Sequence, residues 1–256
     1  MEHRIRLNIL SSAVALAAAV VISVTASAAL ASRAYVKRGE LAASGPQDIT
    51  VKGYARRRVA SDLAEWSIQV SGRGGSLTDA YAQLDAGVTR VAEFLRDAGF
   101  EDGSVSRAAI ETKTRYARDE NGRNTEDIVG YTLTQRVFVS TLEVERVAAT
   151  AGGVTDLLKE GIGVISQPPK YYYGGLNDLK IQLAGDASAN GRERADAIAT
   201  EAGARVHKVT NARMGVIQIT RPNSTEVSSY GIYDTSTIEK DVSVVVTLTL
   251  ALEPAG

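Results

Sequence analysis

The chain has 256 residues, of which 44% are hydrophobic and 23% charged, so most of it is expected to fold as a globular domain. It contains no cysteine, which excludes disulfides, thiol nucleophiles, Cys-ligated zinc and iron–sulfur clusters. One of its two histidines, His3, lies in a predicted targeting segment, and only His207 is left in the folded part. The sequence therefore predicts no multi-histidine metal site within one subunit and no cofactor.

The charge argues against a nucleic-acid partner. The whole chain has a net charge of -1, with 29 basic and 30 acidic residues. The first 38 residues hold five of the basic residues and one of the acids, which leaves 24 basic and 29 acidic residues, a net of −5, on the remainder. Phosphate binding needs a basic surface, so we predict that this part does not bind nucleic acid.

The N-terminal segment 1–32 is predicted to direct the chain to a membrane. Residues 7–32 form an uncharged run that is long enough to cross a hydrocarbon core of about 30 Å. Basic residues flank both ends, which favours an uncleaved signal anchor; the A-x-A pattern at Ala26–Ala28 leaves a cleaved signal peptide open, and a buried soluble helix is a third possibility. Either of the first two exports the rest of the chain.

Residues 33–47 are charged, then small, and contain Gly-Pro, so they are predicted to be a linker, with the folded domain spanning 48–253. Alternating patterns predict a strand over 49–55 and another over 61–72. A helix is predicted next, because apolar residues recur at spacings of three and four between Leu77 and Leu95, after a Ser76–Asp79 capping box and before Gly99.

The remaining elements alternate between strands and helices. Strands are predicted at 105–117 and 128–141 around an Asn-Gly turn, and again at 162–173, 205–219 and 239–252; helices are predicted at 142–159 and 176–202. Pro168–Pro169 indicates an edge or bulge. The order β-β-α-β-β-α-β-α-β-β predicts an α+β fold, with a mainly antiparallel sheet and helices packed on one face. The apolar last strand is expected to be central.

Several local features could carry chemistry. The sequence has no G-x-S-x-G around a serine that His207 could activate, so His207 is expected to be a satisfied or surface residue. Residues 72–75 (GRGG) lack the Lys-Ser/Thr of a phosphate loop and are interpreted as a turn. Arg56–Arg58 is a basic patch that could meet anionic lipid head groups or a partner, but it is interpreted as a solvated turn between two strands. The acidic residues near 119–127 are expected to be solvated.

The most unusual local feature is Tyr171-Tyr172-Tyr173, which is followed by two glycines. On a strand, Tyr171 and Tyr173 would share one face and Tyr172 would take the other. Amphipathic tyrosines suit an interface or a ligand wall. The alternative is edge packing ahead of a helix capped by Asn177.

Four stretches together resemble the SIMPL-domain family of bacterial envelope proteins. They are ITVKGYARRRVASDLAEWSIQVSGRGGSLTDAYAQL, GYTLTQRVFVST, KYYYGGLNDLK and RERADAIATEAGARVHKVTNARMG, and the resemblance runs from about Asp48 to Glu253. Trp66 in the second strand, together with the N-terminal apolar segment, is similar to the membrane-anchored branch of the family. Each motif alone is modest, whereas their order and spacing are more specific.

The resemblance implies two related β-α-β lobes, export to the periplasm or cell envelope, and a tendency to oligomerise. Some relatives form ring-like or channel-like assemblies, and some are linked to oxidative stress. The family has no agreed catalytic residues, so the resemblance implies none here.

Three functions are considered. The favoured one is a non-enzymatic SIMPL-like protein, anchored in the inner membrane with its domain in the periplasm, that self-associates and has an oxidative or envelope stress role. A cleaved form, soluble in the periplasm, is the alternative location. The second function is an exported binding module for a small molecule or cell-wall fragment, with Tyr171–Tyr173 as the wall. The third is a hydrolase that uses His207.

Overall fold

The computed structural model describes residues 27–28, 30–37 and 47–255. Residues 27–28 and 30–37 are helical. Most of the predicted signal segment 1–32 and residues 38–46 of the predicted linker lie outside the described residues. Among the described residues, none of the helices is both long and apolar enough to cross a membrane.

The described chain from residue 47 onward folds into an α+β arrangement. Its strands are β1 (Gln47–Ala60), β2 (Leu63–Gly74), β3 (Val105–Arg107), β4 (Glu111–Arg118), β5 (Asn124–Thr141), β6 (Gly163–Ser166), β7 (Lys170–Tyr172), β8 (Ala204–Met214), β9 (Gln218–Thr220), β10 (Ile232–Tyr233) and β11 (Glu239–Pro254). Its helices are α1 (Leu77–Asp97), α2 (Val144–Thr150) and α3 (Leu176–Glu201), with 3-10 helices at Asp102–Ser104 and Gly153–Glu160.

In the described part of the chain the strands form two sheets, where the sequence predicted one. The six-stranded sheet has the order β3-β5-β2-β6, with β4 also paired to β5 and β7 also paired to β2. The five-stranded sheet has the order β1-β11-β9-β10, with β8 also paired to β11. The strand pairs of the first sheet are antiparallel, whereas β9 and β10 are parallel. The predicted central position of the last strand is confirmed, because β11 has neighbours on both sides.

The consecutive strands β1 and β2 belong to different sheets, and the two residues between them are Ser61 and Asp62. The backbone N–H of Ser61 donates to Ile238 O at 2.8 Å, and the Asp62 carboxylate accepts from the N–H of Gly174 at 2.7 Å. These bonds fix a corner at which the chain passes from one sheet to the other, so β1 and β2 do not form a hairpin. The predicted turn at Arg56–Arg58 is therefore wrong, because β1 continues to Ala60.

The chain divides into two compact units. Of the described residues, the smaller unit comprises those up to Thr50, Ala195–Asn211 and those from Thr249 onward. In it, Thr249 O accepts from the Thr210 hydroxyl at 3.1 Å. Arg205 Nε lies 2.8 Å from a carboxylate oxygen of Glu253, whose other oxygen lies 3.9 Å from His207 Nδ1. His207 is exposed, in agreement with the prediction of a surface histidine.

The larger unit, Val51–Arg194 and Ala212–Leu248, contains the six-stranded sheet and its main core. The helix α1 packs on that sheet through one buried stripe, which consists of Ala80, Leu84, Gly87, Val88, Val91 and Leu95. Ser76 accepts a hydrogen bond from Asp79 N at 3.1 Å, and Gly99 has a φ of 85°, so both predicted helix ends are confirmed. Leu77 and Tyr81, which belong to the same recurring apolar pattern, are about half exposed; Leu77 is the first residue of the helix.

Other predicted elements change at their ends. The helix predicted over 142–159 is instead α2 followed by a 3-10 helix, which ends at Gly161 with a φ of 81°. The helix α3 begins at Leu176, so Asn177 is inside it and is not its N-cap. The Asn-Gly turn between β4 and β5 is confirmed, with Gly122 at a φ of 78°.

Candidate functional site

The two central strands of the six-stranded sheet have one buried and one open face. On β2 the buried residues are Ala64, Trp66, Ile68 and Val70. The residues between them, Glu65, Ser67 and Gln69, lie on the opposite face because side chains alternate along a strand. The pairing of Ser67 with Phe138 of β5 places Phe138 on this same open face, where it is 39% exposed.

A groove of about 690 Å³ lies along this part of the sheet. It is lined by residues of β2 and β5 and by two connecting segments, namely Glu65, Trp66, Ser67, Phe138, Val139, Ser140, Gln167, Pro168, Pro169, Lys170, Thr235 and Ser236. A smaller hollow of about 340 Å³ shares Ser67, Phe138 and Gln167 with it and adds Gln69 and Arg136. The two hollows therefore adjoin on the same face.

One side of the groove is formed where the chain passes from β6 to β7. Gln167 N still donates to Ser67 O of β2 at 2.9 Å. Pro168 and Pro169 have no N–H to continue the ladder, and pairing resumes with Lys170 opposite Glu65. The prediction of an edge or bulge at the two prolines is confirmed, because they interrupt the pairing of β6 and β7 with β2 at the edge of the sheet, and they supply an apolar wall.

The segment before β11 contributes Thr235 and Ser236 to the groove. Thr235 O accepts from the N–H of Tyr171 at 2.8 Å, which ties this segment to β7. Asp234 accepts from the N–H and the hydroxyl of Ser236, at 3.0 and 3.1 Å, and forms a local turn.

Lys240, near the start of β11, anchors the segment that contains Thr235 and Ser236 through a hydrogen bond from its side chain. Its side chain is fully buried, and Nζ donates to Thr237 O at 2.6 Å. Burial lowers the pKa of Lys240, and the charge of Asp234 partly opposes that effect. A buried amine in this position holds the loop that contributes Thr235 and Ser236 to the groove.

The sequence matches one known protein family over most of its length. The family model described as SIMPL, a protein of unknown function (DUF541), matches residues 49–250. This chain belongs to the SIMPL family. The resemblance identified from the sequence is therefore confirmed. None of the curated proteins compared matches the chain.

Solved structures show only partial likeness to this SIMPL protein. An amidase of the hydantoinase/carbamoylase family from Burkholderia phymatum is 16% identical over 56% of this chain and 37% of its own, with a TM-score of 0.30. The de novo designed protein Foldit4 is 13% identical over 40% of this chain and 93% of its own, with a TM-score of 0.21. A putative aminohydrolase from methicillin resistant Staphylococcus aureus is 12% identical over 48% and 33%, with a TM-score of 0.26. The chain thus spans about a third of both hydrolases.

The three tyrosines of the SIMPL domain have different surroundings. Tyr171 is buried in the core of the six-stranded sheet. Tyr172 lies on the other face, 6.4 Å from the ring of Tyr233, and its pKa is raised, mainly by burial and then by the nearby Glu65 carboxylate. Tyr173 follows the end of β7. The groove beside them is lined by Lys170, whereas the tyrosine wall itself stays a prediction.

The three arginines of β1 act as ion-pair donors and were missed as such. Arg58 donates from Nε to Asp241 Oδ1 at 2.9 Å and from Nη2 to Oδ2 at 3.1 Å, and Arg56 lies 3.7 Å from the same carboxylate. Asn223 N also donates to Asp241, at 3.0 Å. The bonds from Arg58 lower the pKa of Asp241 more than burial raises it. Arg57 pairs with Asp186 of α3 at 2.8 Å.

The glycines of the GRGG stretch serve packing. A side chain on Gly72 would collide with the backbone of Ala80 and Leu84, and one on Gly74 with Asp79. Gly72 and Gly74 are therefore needed where β2 approaches α1 closely, and the turn itself is confined to Gly75 and Ser76. Among the described residues, no group of three or more histidines or carboxylates is placed to hold a metal ion.

Proposed function

We propose that this SIMPL protein is tethered to the inner membrane by its N-terminal segment, exposes its domain to the periplasm and self-associates there. A cleaved, soluble periplasmic form is the alternative. We further propose that the protein is not an enzyme and that its role belongs to oxidative or envelope stress, as the family resemblance implies. The absence of cysteine supports a role without thiol chemistry.

The observation that supports self-association is an exposed ribbon at the far end of β4 and β5. The last residue of β2, Gly74, pairs with Tyr131, so residues 115–130 continue as a two-stranded ribbon. Ile128 and Val129 are each about half exposed, and the ladder is irregular at Val129, which lies between the pairs Arg115–Gly130 and Tyr116–Ile128. Tyr116, the partner of Ile128 in the ladder, is also exposed.

A free two-stranded ribbon is marginally stable in water, and this one exposes three neighbouring apolar side chains, those of Tyr116, Ile128 and Val129. Covering those side chains with a second copy of the chain would stabilise the ribbon and bury its apolar surface. The ribbon is therefore the part of the domain that we propose as the contact between copies.

The test is the mass of the full chain in detergent, measured by light scattering for the wild type and two variants. We expect a discrete oligomer for the wild type and a smaller species for Ile128→Gln combined with Val129→Gln. Ile198→Gln is the matched control, because Ile198 of α3 has the same exposed fraction as Ile128, 53%. A monomeric wild type, or an unchanged mass for the double variant, would contradict the proposal.

The tether is tested by labelling. Because the chain has no cysteine, a single cysteine in place of Tyr230, which is 95% exposed, gives a label site without background. A membrane-impermeant maleimide should label it in cells whose outer membrane has been opened, and the labelled chain should stay in the membrane fraction. Label only after lysis of the inner membrane would contradict the periplasmic location.

A second candidate function is a binding module for a small molecule or cell-wall fragment. The observation that favours it is the groove beside β7, whose size is within the range of ligand pockets, about 300–1,000 Å³. Its lining differs from the tyrosine wall that the sequence suggested, since Pro168, Pro169 and Lys170 take that place.

We also infer that the domain contains two related lobes. In each, a glycine of a strand lies against the backbone of a helix: Gly72 of β2 against α1, and Gly53 of β1 against Ala187 and Gly191 of α3. The repeated device supports a common β-α packing in both lobes.

A further inference from the structure

The apolar part of the lining of the groove on the open face of the six-stranded sheet consists largely of flat rings. Phe138 contributes a ring that is 39% exposed, and Pro168 and Pro169 contribute two rigid rings. Flat apolar groups pack well against aromatic and proline rings. The lining therefore favours a ligand with a planar apolar part, of a size that about 690 Å³ can hold.

The charged groups of the groove favour an anion with a single charge. Glu65 and Lys170 face each other across β2 and β7, but the Glu65 carboxylate lies beside the Tyr172 hydroxyl and interacts with it. Within residues 47–255, no carboxylate lies within 4 Å of the Lys170 ammonium. That ammonium is thus available to a ligand, with the hydroxyls of Ser67 and Ser140 on the same lining.

A dianion fits less well than a monoanion at this position. Glu65 lines the same groove as Lys170 and would repel a second negative charge. Arg136, the cation of the adjoining hollow, already lies 3.8 Å from Glu111. These charges favour a carboxylate over a phosphate monoester.

We propose that this groove binds a small aromatic carboxylate, with its ring against Phe138 and the two prolines and its carboxylate at Lys170. The proposal rests on the second candidate function, that of a binding module, and it names the class of ligand. It places no reaction in the groove.

The test uses the fluorescence of Trp66, the single tryptophan of the sequence. Its strand position borders the groove, and its buried ring lies on the opposite face of β2, beneath the groove floor. The full chain in lipid nanodiscs is titrated with 3-phenylpropionate and, separately, with its neutral amide. We expect a saturable change with the acid and binding about fivefold weaker with the amide, because one charge contact to the exposed Lys170 is removed.

Two variants separate the two parts of the ligand. Lys170→Gln should abolish the preference for the acid over the amide, and Phe138→Ala should weaken both ligands by about tenfold. Lys113→Gln is the matched control, because Lys113 is an exposed lysine of β4 that does not line the groove. It should leave both titrations unchanged.

The proposal is overturned if the wild type shows no saturable change up to about 10 mM acid, a very weak affinity for a specific site. It is also overturned if Lys170→Gln keeps the preference for the acid. Binding of the amide and acid with equal affinity would retain a binding module but reject a carboxylate ligand. Saturable binding of a neutral sugar probe, N-acetylglucosamine, together with no binding of the acid, would also reject it while keeping the second candidate function.

Discussion

Replacing Gly72 with alanine should separate β2 from α1. The new Cβ would lie 2.9 Å from Leu84 Cα and still closer to Ala80 O, and these are backbone atoms that cannot rotate away. Carbon atoms pack without repulsion at about 3.5–4.0 Å, so the strand and helix must move apart by about 1 Å.

The loss of stability can be estimated from the part of the core that this separation would loosen. The contact lies between the buried residues Val70 on β2 and Ala80, Leu84 and Val88 on α1, all of them at most 2% exposed. Overpacking in a core costs about 1–3 kcal/mol, and two rigid backbones place this case near 3 kcal/mol. That is a large part of the 5–15 kcal/mol typical of a folded domain.

The assay is urea unfolding of the full chain, followed by the fluorescence of Trp66 on β2. Gly75→Ala is the matched control: it lies three residues away, and a Cβ there would have no atom within 4 Å. It should leave the free energy of unfolding unchanged or raise it by about 0.4–1 kcal/mol, since alanine restricts the unfolded chain. If the two variants unfold within about 0.5 kcal/mol of each other, the close approach of strand and helix is refuted.

Three further predictions concern the close contact of Gly53 with α3 and the buried charges of Asp241 and Lys240. Gly53→Ala should also destabilise the domain by about 3 kcal/mol, because its Cβ would lie 2.6 Å from Gly191 N, and urea unfolding against Gly185→Ala, whose Cβ would be in open space, checks this. Asp241→Asn should lower the free energy of unfolding at neutral pH by about 2–3 kcal/mol, below the cost of breaking a fully buried pair because Arg58 is 44% exposed. The folded-state pKa of Asp241 is lowered, so its contribution to the free energy of unfolding is present above the ordinary carboxyl range and is lost as the pH falls through the folded-state pKa. The difference in the free energy of unfolding between Asp241→Asn and the wild type should therefore shrink when unfolding is measured at increasingly acid pH. Burial lowers the pKa of Lys240, so in the alkaline range below the ordinary lysine pKa the unfolded chain binds more protons than the folded chain. The free energy of unfolding should therefore rise with pH in that range. Lys240→Met should flatten this rise, which thermal unfolding measured across the same pH range would check.

The periodicity of apolar residues predicted those helices and strands that bury one face against a single neighbouring element. The stripe from Ala80 to Leu95 repeats at helical spacing, and Ala64, Trp66, Ile68 and Val70 alternate, because each element buries one face in the same core. The helix ends could also be predicted, since Ser76 and Gly99 supply bonds and backbone angles that depend on the local chain alone.

The division into two sheets depends on bonds between distant residues. Neighbouring strands usually form a hairpin, and nothing in the Ser61-Asp62 dipeptide indicates otherwise. The corner exists because Ser61 bonds to Ile238 and Asp62 to Gly174, which are more than 100 residues away. The same reason hid the ion pair of Arg58, whose partner Asp241 lies 183 residues further along the chain.

The groove was partly visible in the sequence. Pro168–Pro169 indicated a bulge and drew attention to the segment around Tyr171, but the sequence could not show which side chains face the same space. Phe138 belongs to a strand whose alternation predicts an outward position, and its partner Ser67 follows only from the register between β2 and β5. An outward aromatic residue on a central strand was the signal that could have located the groove.

The two candidate functions use opposite ends of one strand. The ribbon residue Ile128 and the groove residue Phe138 both belong to β5 and are ten residues apart. At about 3.3 Å per residue the separation is roughly 33 Å, several times the screening length of about 8 Å in physiological salt. Charge at Lys170 should therefore not reach the ribbon, and the substitutions at Ile128 and Val129 should not alter the groove. Loss of assembly without loss of ligand binding, or the reverse, would then assign each function to its own end of β5.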